Sequence, residues 1–445
     1  MHELSERLHS FWERFSPCFH TKTRDPSKYA LPYLEGLLRM ETERHFTHIG
    51  EVGQIPPQNI QHFMSNSPWD SQVVLSQVRQ EIREVPVLAT GSALILDESA
   101  DQANSRHKAG AGRQWNGRLG KVEMSQVGVF LALAHPQSNF WTWLDGKLYL
   151  PSDWFTEAYA PLRKRLGVPS ELTFATKIEL GWQMIQRCQE EHISFEVVSC
   201  DDFYGRHDWF RSAMHLSALL YMGEIPSTTR VSVRVPSSKK SLGQTAEQIG
   251  KLPETEWSFY CLRPSERGFL NDKFAFARVY TWRDEKATPE WLVMRQFPDG
   301  SRSYAFCNAP EETTGERLAE WKCVRGYIER ANQDAKSELG WADLRAQQYR
   351  SWEHHLALTI LAGWFIASTK LEWSQNCPPS SALGSLLEVD RIPPLSMSNI
   401  RELLRAIMPL PQLTPEQATE HVIQHLYSRA MSRKSRIKKR AQRQT

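Results

Sequence analysis

The 445-residue chain carries 54 Lys or Arg against 51 Asp or Glu, a formal charge of +3, with 40% hydrophobic and 24% charged residues. That balance belongs to a globular chain long enough for two or more domains, and it excludes disordered and fibrous classes. Its longest apolar run, 356–367, is twelve residues and too short to cross a bilayer.

The N-terminus is charged and has no signal-peptide pattern. Seven cysteines, at 18, 188, 200, 261, 307, 323 and 377, form no CxxC pair. Their odd number argues against a disulfide framework, so a reducing cytoplasm is the expected compartment. The charge is unevenly placed. Residues 428–445 hold eight basic residues and no acid, which leaves 46 basic against 51 acidic elsewhere, a balance of −5. The tail residues Arg433, Lys434, Arg436, Lys438, Lys439 and Arg440 suit a polyanion. They equally suit a solubilising end.

In chain order, 1–85 is predicted to be mainly helical. Strands are expected at 94–97, 125–134 and 140–150, then a helix over 170–191 and a strand at 195–200. A short helix from about 206 and a strand near 219–223 follow. Helix–strand alternation after antiparallel strands predicts a mixed α/β sheet flanked by helices. From 229 to 310 the pattern is β-rich. Val231, Val233 and Val235 alternate with polar residues, and Pro298-Asp-Gly300 marks a hairpin between 291–297 and 303–308. The polar stretch 237–256 is expected as an exposed loop. Helices are predicted over 315–339 and 351–369. Pro and Ser dominate 376–397, and Thr414-Pro-Glu-Gln417 caps a last helix.

Two apolar, β-leaning runs end on aspartates: Gly91-Ser-Ala-Leu-Ile-Leu-Asp97 and Ile193-Ser-Phe-Glu-Val-Val-Ser-Cys-Asp201. Carboxylates at the ends of buried strands are costly unless a positive group lies between them. A divalent cation meets that need and points to phosphoryl-transfer chemistry. Further on, Trp321, Val324, Ile328, Ala335 and Leu339 form an apolar helical stripe, with Arg325, Glu329 and Lys336 along its flank. Periodicity leaves two readings open: a cleft-facing carboxylate between cations, or a surface pair at i, i+4.

Other motifs carry less. Adjacent His354 and His355 on a buried helix read as structural, and Cys18-Phe-His20 lacks the second pair of a zinc site. No GxxxxGK[ST] loop is present. Trp257, Trp282 and Trp291 suit the core of a small sheet, with base stacking as the rival reading.

Arg325, three residues, Glu329, six residues, Lys336 resembles the R-E-K part of the Y-R-E-K signature of DDE-type insertion-sequence transposases. Further segments are similar, in order: Tyr33-Leu-Glu-Gly-Leu-Leu, Gln61-His-Phe-Met-Ser-Asn-Ser-Pro-Trp-Asp70, Leu94-Ile-Leu-Asp97, and Gly112-Arg-Gln-Trp-Asn-Gly-Arg-Leu-Gly-Lys-Val122. Lys147-Leu-Tyr-Leu-Pro-Ser-Asp-Trp154, Thr176-Lys177 and Asp201-Asp-Phe-Tyr-Gly205 continue the series. Lys322 stands where the signature has Tyr, and Arg345 where an acid is usual.

The resemblance implies an RNase H-like core interrupted by a β-rich insertion. It also implies that Asp97, Asp201 and Glu329 converge as catalytic ligands for two Mg²⁺ (or Mn²⁺) ions. Arg325 and Lys336 would contact DNA phosphates, with Lys177 and Arg113 as further contacts. Strand alternation would turn Glu98 away from the site, and Asp202 is ranked with it. The implied partners are double-stranded DNA, as terminal inverted repeats and target, and a second copy of the chain in a DNA-bound homodimer. The expected organisation is 1–85 for DNA ends, 86–228 and 311–375 for the core, 229–310 for the insertion, 376–427 helical, and 428–445 the basic tail. A non-catalytic DNA-binding regulator and a nuclease that does not transpose are the rival functions.

Overall fold

The structure is a computed structural model describing residues 2–265 except 104 and 118, then 268–376 and 395–409, with single positions from 423 to 434. The helix expected at Thr414, most of the 376–397 segment, and Arg436, Lys438, Lys439 and Arg440 lie outside the described residues.

The sheet is built around β1 (Ala93–Gln102). Its apolar run Leu94-Ile95-Leu96 is fully buried, which suits a strand covered on both faces. After β2 (Gly112–Asn116) come β3 (Lys121–His135) and β4 (Phe140–Tyr149). Strand β3 runs antiparallel to β1, and both β2 and β4 pair with β3. On its other side β1 is parallel to β5 (Val197–Cys200), which is parallel to β6 (Tyr221–Ile225). Antiparallel β1, β3 and β4, with short β2 also on β3, followed by parallel β5 and β6 give the expected RNase H-like arrangement. The sequence reading missed β2 and ended β1 five residues early, because the polar far end of β1 lacks an apolar signal.

The β-rich stretch joins this same sheet. After the short pair β7 (Arg230–Val231) and β8 (Gln244–Thr245) come β9 (Ser258–Ser265), β10 (Gly268–Arg283), β11 (Lys286–Gln296) and β12 (Arg302–Cys307). Strand β12 pairs antiparallel with β6, so the order runs β2-β3-β1-β5-β6-β12-β11-β10-β9. The expected hairpin turns at Gly300, whose φ of +84° needs a residue without a Cβ penalty. The strand expected through Val235 is a correction. Only Val231 is buried; Val233 and Val235 are 49% and 68% exposed. Pairing fails because, beyond Val231, one bridge from Ser232 to Tyr280 is all that forms.

Helices α1 (His2–Phe15), α2 (Ser27–Arg39), α3 (Phe46–Val52), α4 (Pro57–Ser65) and α5 (Ser71–Arg83) precede the sheet. Between β4 and β5 lie α6 (Ala160–Arg165) and α7 (Lys177–Glu190). Helix α7 starts later than expected because Thr176 and Glu179 form a reciprocal capping box there. Short helices α8 (Asp202–Gly205) and α9 (Asp208–Leu216) separate β5 from β6, and α10 (Ala246–Ile249) interrupts the polar loop.

The single helix expected over 315–339 is broken. It forms α11 (Gly315–Cys323), α12 (Gly326–Gln333) and a π-helical turn, Asp334–Glu338. Gly326, a weak helix former, sits at the break. Helix α13 (Tyr349–Asn376) packs against α2, α4, α5 and β4. Helix α14 (Met397–Ile407) packs on α2. Among the described residues no helix is long and apolar enough to cross a membrane.

Candidate active site

Parallel pairing of β1 and β5 aligns Leu96 with Cys200. Asp97 is the next residue on β1, and Asp201 is the first residue past the end of β5, so the register sets them side by side. Asp97 accepts the Glu98 backbone N–H at 2.8 Å. Asp201 caps α8, accepting N–H groups of Phe203 at 3.1 Å and Tyr204 at 3.3 Å. Helix α8 presses close to β6: a Cβ on Gly205 would lie 2.1 Å from the Glu224 carbonyl oxygen. Glycine in Asp201-Asp-Phe-Tyr-Gly205 therefore lets the cap sit against the sheet.

Burial, and then the neighbouring Asp201, push the Asp97 carboxyl up to about 7. Burial also lifts Asp201 to about 6, against the Tyr204 N–H and the Arg325 charge. Two hard oxygen donors of raised proton affinity, side by side, form a set that a cation relieves. A buried polar atom nearby, the Tyr204 hydroxyl, which feels the charges of Asp201 and Asp97, lacks a hydrogen-bond partner. The residues present therefore fit a divalent metal.

Arg325 supplies positive charge at this site. Its own burial would lower its pKa, but Glu224, Asp97, Glu329 and Asp201 together raise it. Glu329 Oε1 lies 2.9 Å from Arg325 Nη1, and the Glu329 side chain is 66% exposed. The i, i+4 pair is thus real, and it stands beside Asp97 and Asp201, since α12 packs on β1 and both aspartates act on Arg325. Asp97, Asp201 and Glu329 are not among the described groups of three whose ligand atoms lie within 4.8 Å of one another. All three instead act on the same arginine.

Glu224 is the acid that sequence reasoning missed. The β5–β6 register aligns Cys200 with Gly223, which puts Glu224 next to Asp201. Burial would raise its pKa, but Lys322 and Arg325 outweigh that and hold it below its ordinary value. Lys322, at the signature's Tyr position, is buried and reaches Glu224 at 2.6 Å. The one available signal was an acid inside the apolar run Tyr221-Met-Gly-Glu-Ile.

The remaining candidates separate. Leu96 and Glu98 share one face of β1, where Gly181 of α7 closes on Leu96 and Lys177 pairs with Glu98 at 2.8 Å. Alternation thus turns Glu98 from Asp97, although its charge still raises both aspartates. Asp202 pairs with Arg206 at 2.6 Å. Lys336 pairs with Asp101 farther along β1 at 2.9 Å. Arg113 lies exposed on β2, next but one to Trp115, which is 56% exposed. Arg433 and Lys434 are exposed.

His354 and His355 are structural, as expected. His355 Nδ1 is 3.0 Å from the Tyr33 hydroxyl and Nε2 3.3 Å from the Trp341 carbonyl. His354 Nε2 is 3.0 Å from the Trp69 carbonyl. Trp257 and Trp291 donate their indole N–H groups to the carbonyls of Gly250 and Pro310 and lie under Arg302 and Arg278.

Sheet order, with Asp97 on β1 and Asp201 just past β5, defines an RNase H-like core. A family profile described as DDE superfamily endonuclease matches residues 14–286, more than half of the chain, and the protein belongs to that family. Asp97 and Asp201 fall within the matched segment; Glu329 lies beyond it. The chain is also similar to the "Probable transposase for insertion sequence element IS701" of Microchaete diplosiphon. The two are 25% identical over 313 residues, 67% of this chain and 71% of that protein.

Proposed function

We propose that this protein is an insertion-sequence transposase that cuts DNA at transposon ends and transfers the freed strands into target DNA. The observation carrying the proposal is the side-by-side placement of Asp97, within β1, and Asp201, just past the end of parallel β5, in a member of the DDE endonuclease family. Asp97, Asp201 and Glu329 would hold two Mg²⁺ or Mn²⁺ ions. When bound, these ions activate the attacking water or 3′-hydroxyl and stabilise the leaving 3′-oxygen.

The chain's own residues orient and balance charge. The Glu98 N–H fixes the Asp97 carboxylate, and the α8 N–H groups fix that of Asp201. Lys322 holds Glu224 in place, and Glu224 draws one edge of Arg325, 3.8 Å away. Arg325 then stands beside the acids, where it can release Glu329 and take a DNA phosphate. Lys336 and Lys177 would add positive charge on either side. Arg113, beside exposed Trp115, and the basic tail would grip DNA farther out.

The region 1–85 would bind the transposon ends, 86–228 and 311–375 would form the catalytic core, and a homodimer would hold two ends together. Incubating the full chain with Mg²⁺ and DNA carrying the flanks of its own gene tests the proposal. End cleavage and joined products support it. Cleavage without joining indicates a nuclease, and binding without cleavage a regulator; either would overturn it.

A further inference from the structure

Glu43, His45 and His48 lie far along the chain from the catalytic residues and play no part in the proposed chemistry. Among the described residues they form the group of three whose ligand atoms all lie within 4.8 Å of one another. The spacing explains the convergence. His45 stands at the N-cap position of α3 with its side chain left out of the cap, and His48 lies one turn on. Their rings stack with centroids 4.5 Å apart. Glu43 reaches the same point from the preceding loop, through a backbone held at φ +54°, a conformation uncommon for a residue with a Cβ. Its carboxylate is 3.4 Å from His48 Nδ1, and Glu51, one turn farther on, is 3.8 Å from His48 Nε2. The Glu43 separation is long for a hydrogen bond but suits two donors facing a common ion, while Glu51, at the other ring nitrogen, would orient the His48 ring from behind.

We infer that Glu43, His45 and His48 form a site for a borderline-soft transition metal, with Zn²⁺ as its natural occupant. Two imidazoles and one carboxylate select Zn²⁺, Co²⁺ or Ni²⁺, whereas the all-carboxylate set at Asp97 and Asp201 selects Mg²⁺ or Mn²⁺. The two sites therefore differ in chemistry, and this one does not depend on the DNA reading.

Its position gives it a structural role. The neighbouring Arg44 is buried; its backbone N–H donates to Asp343 at 3.1 Å and its Nε to the Met40 carbonyl at 2.9 Å. The Arg44 side chain also packs on Gly340, where a Cβ would come within 2.5 Å of it. An ion at 43–48 would rigidify the loop from which Arg44 reaches the segment after Asp334–Glu338, which carries Lys336.

Zinc titration of chelator-treated full-length protein by calorimetry, with Co²⁺ absorption as a second readout, tests the inference. An Asp97→Ala, Asp201→Ala background removes the paired catalytic aspartates from the titration. One ion per chain is expected. Binding should weaken by about 100-fold or more in His45→Ala and in His48→Ala, exceeding the ~10–100-fold cost of losing an outer-shell partner. Co²⁺ should give the absorption of a nitrogen-ligated site, and hydrogen exchange should slow at 40–48 on zinc addition. The three side chains are partly or fully exposed, so the variants are expected to fold, with circular dichroism as the check. Absence of binding would overturn the inference. Equal binding in wild type and both histidine variants would mean an adventitious ion only, and would overturn it too.

Discussion

Replacing Asp97 with Asn tests the electrostatics of the site without removing its geometry. The amide oxygen still accepts the Glu98 N–H, and Arg325 keeps Glu224 and Glu329. What disappears is a carboxyl whose pKa is raised from an ordinary 3.8 to about 7. A raised carboxyl binds its proton more tightly in the folded state. Metal-free stability from this group is therefore fully present at low pH and is lost as pH rises from about 4 through about 7. The whole interval corresponds to ~4 kcal/mol as an upper figure. Asp201, raised to about 6, adds a similar slope over a narrower window.

In chelator, Asp97→Asn should therefore melt higher than wild type at pH 8, by on the order of 5 °C for a chain of this size. The gap should close towards pH 4. Magnesium should narrow the gap and then close it, because a ligand of the native state stabilises wild type by ~2.7 kcal/mol at a hundred times its dissociation constant and by ~4 kcal/mol at a thousand times. Differential scanning calorimetry at pH 5, 6, 7 and 8, with and without Mg²⁺, reads both effects. Parallel curves for the two proteins across that range, or the same Mg²⁺ shift in both, would refute the reasoning.

Glu329→Gln should separate stability from activity. Its exposed i, i+4 pair contributes ~0.5 kcal/mol or less to chemical denaturation. Loss of a metal-holding carboxylate should slow end cleavage by ~10²–10⁴-fold. Gly205→Ala should destabilise by ~3 kcal/mol or more in urea, because its Cβ would meet the Glu224 carbonyl oxygen at 2.1 Å. His355→Leu should cost ~2–4 kcal/mol by leaving the buried Tyr33 hydroxyl unpaired. If His355 served the chemistry instead, cleavage would fall while the unfolding midpoint stayed unchanged.

The parts of the fold legible in the sequence were those with local causes. An apolar run ending on an acid revealed the buried half of β1 and the end of β5, and Pro298-Asp-Gly300 revealed a hairpin. Glu224 was not legible. Its place beside Asp201 depends on which strand pairs with β5, a contact that no local pattern encodes. The break at Gly326 and the π-helical turn at 334–338 were hidden by a stripe that reads as continuous at 3.6 residues per turn. Lys322 looked like a bare departure from a signature. The structure gives it a task, as the buried partner of Glu224. The spacing of Glu43, His45 and His48 was visible throughout, but its meaning required the φ of Glu43 and the ring stacking on α3.

The central claim is that Asp97 and Asp201 ligate the metal that cuts DNA. A change of metal preference tests it most directly. Asp97→Cys and Asp201→Cys replace hard oxygen with softer sulfur, which disfavours Mg²⁺ more than Mn²⁺. Cleavage of end-bearing DNA by either variant should be lost in Mg²⁺ and partly restored in Mn²⁺, while wild type works in both. Equal loss in the two metals, or activity in Mg²⁺ matching wild type, would contradict the account.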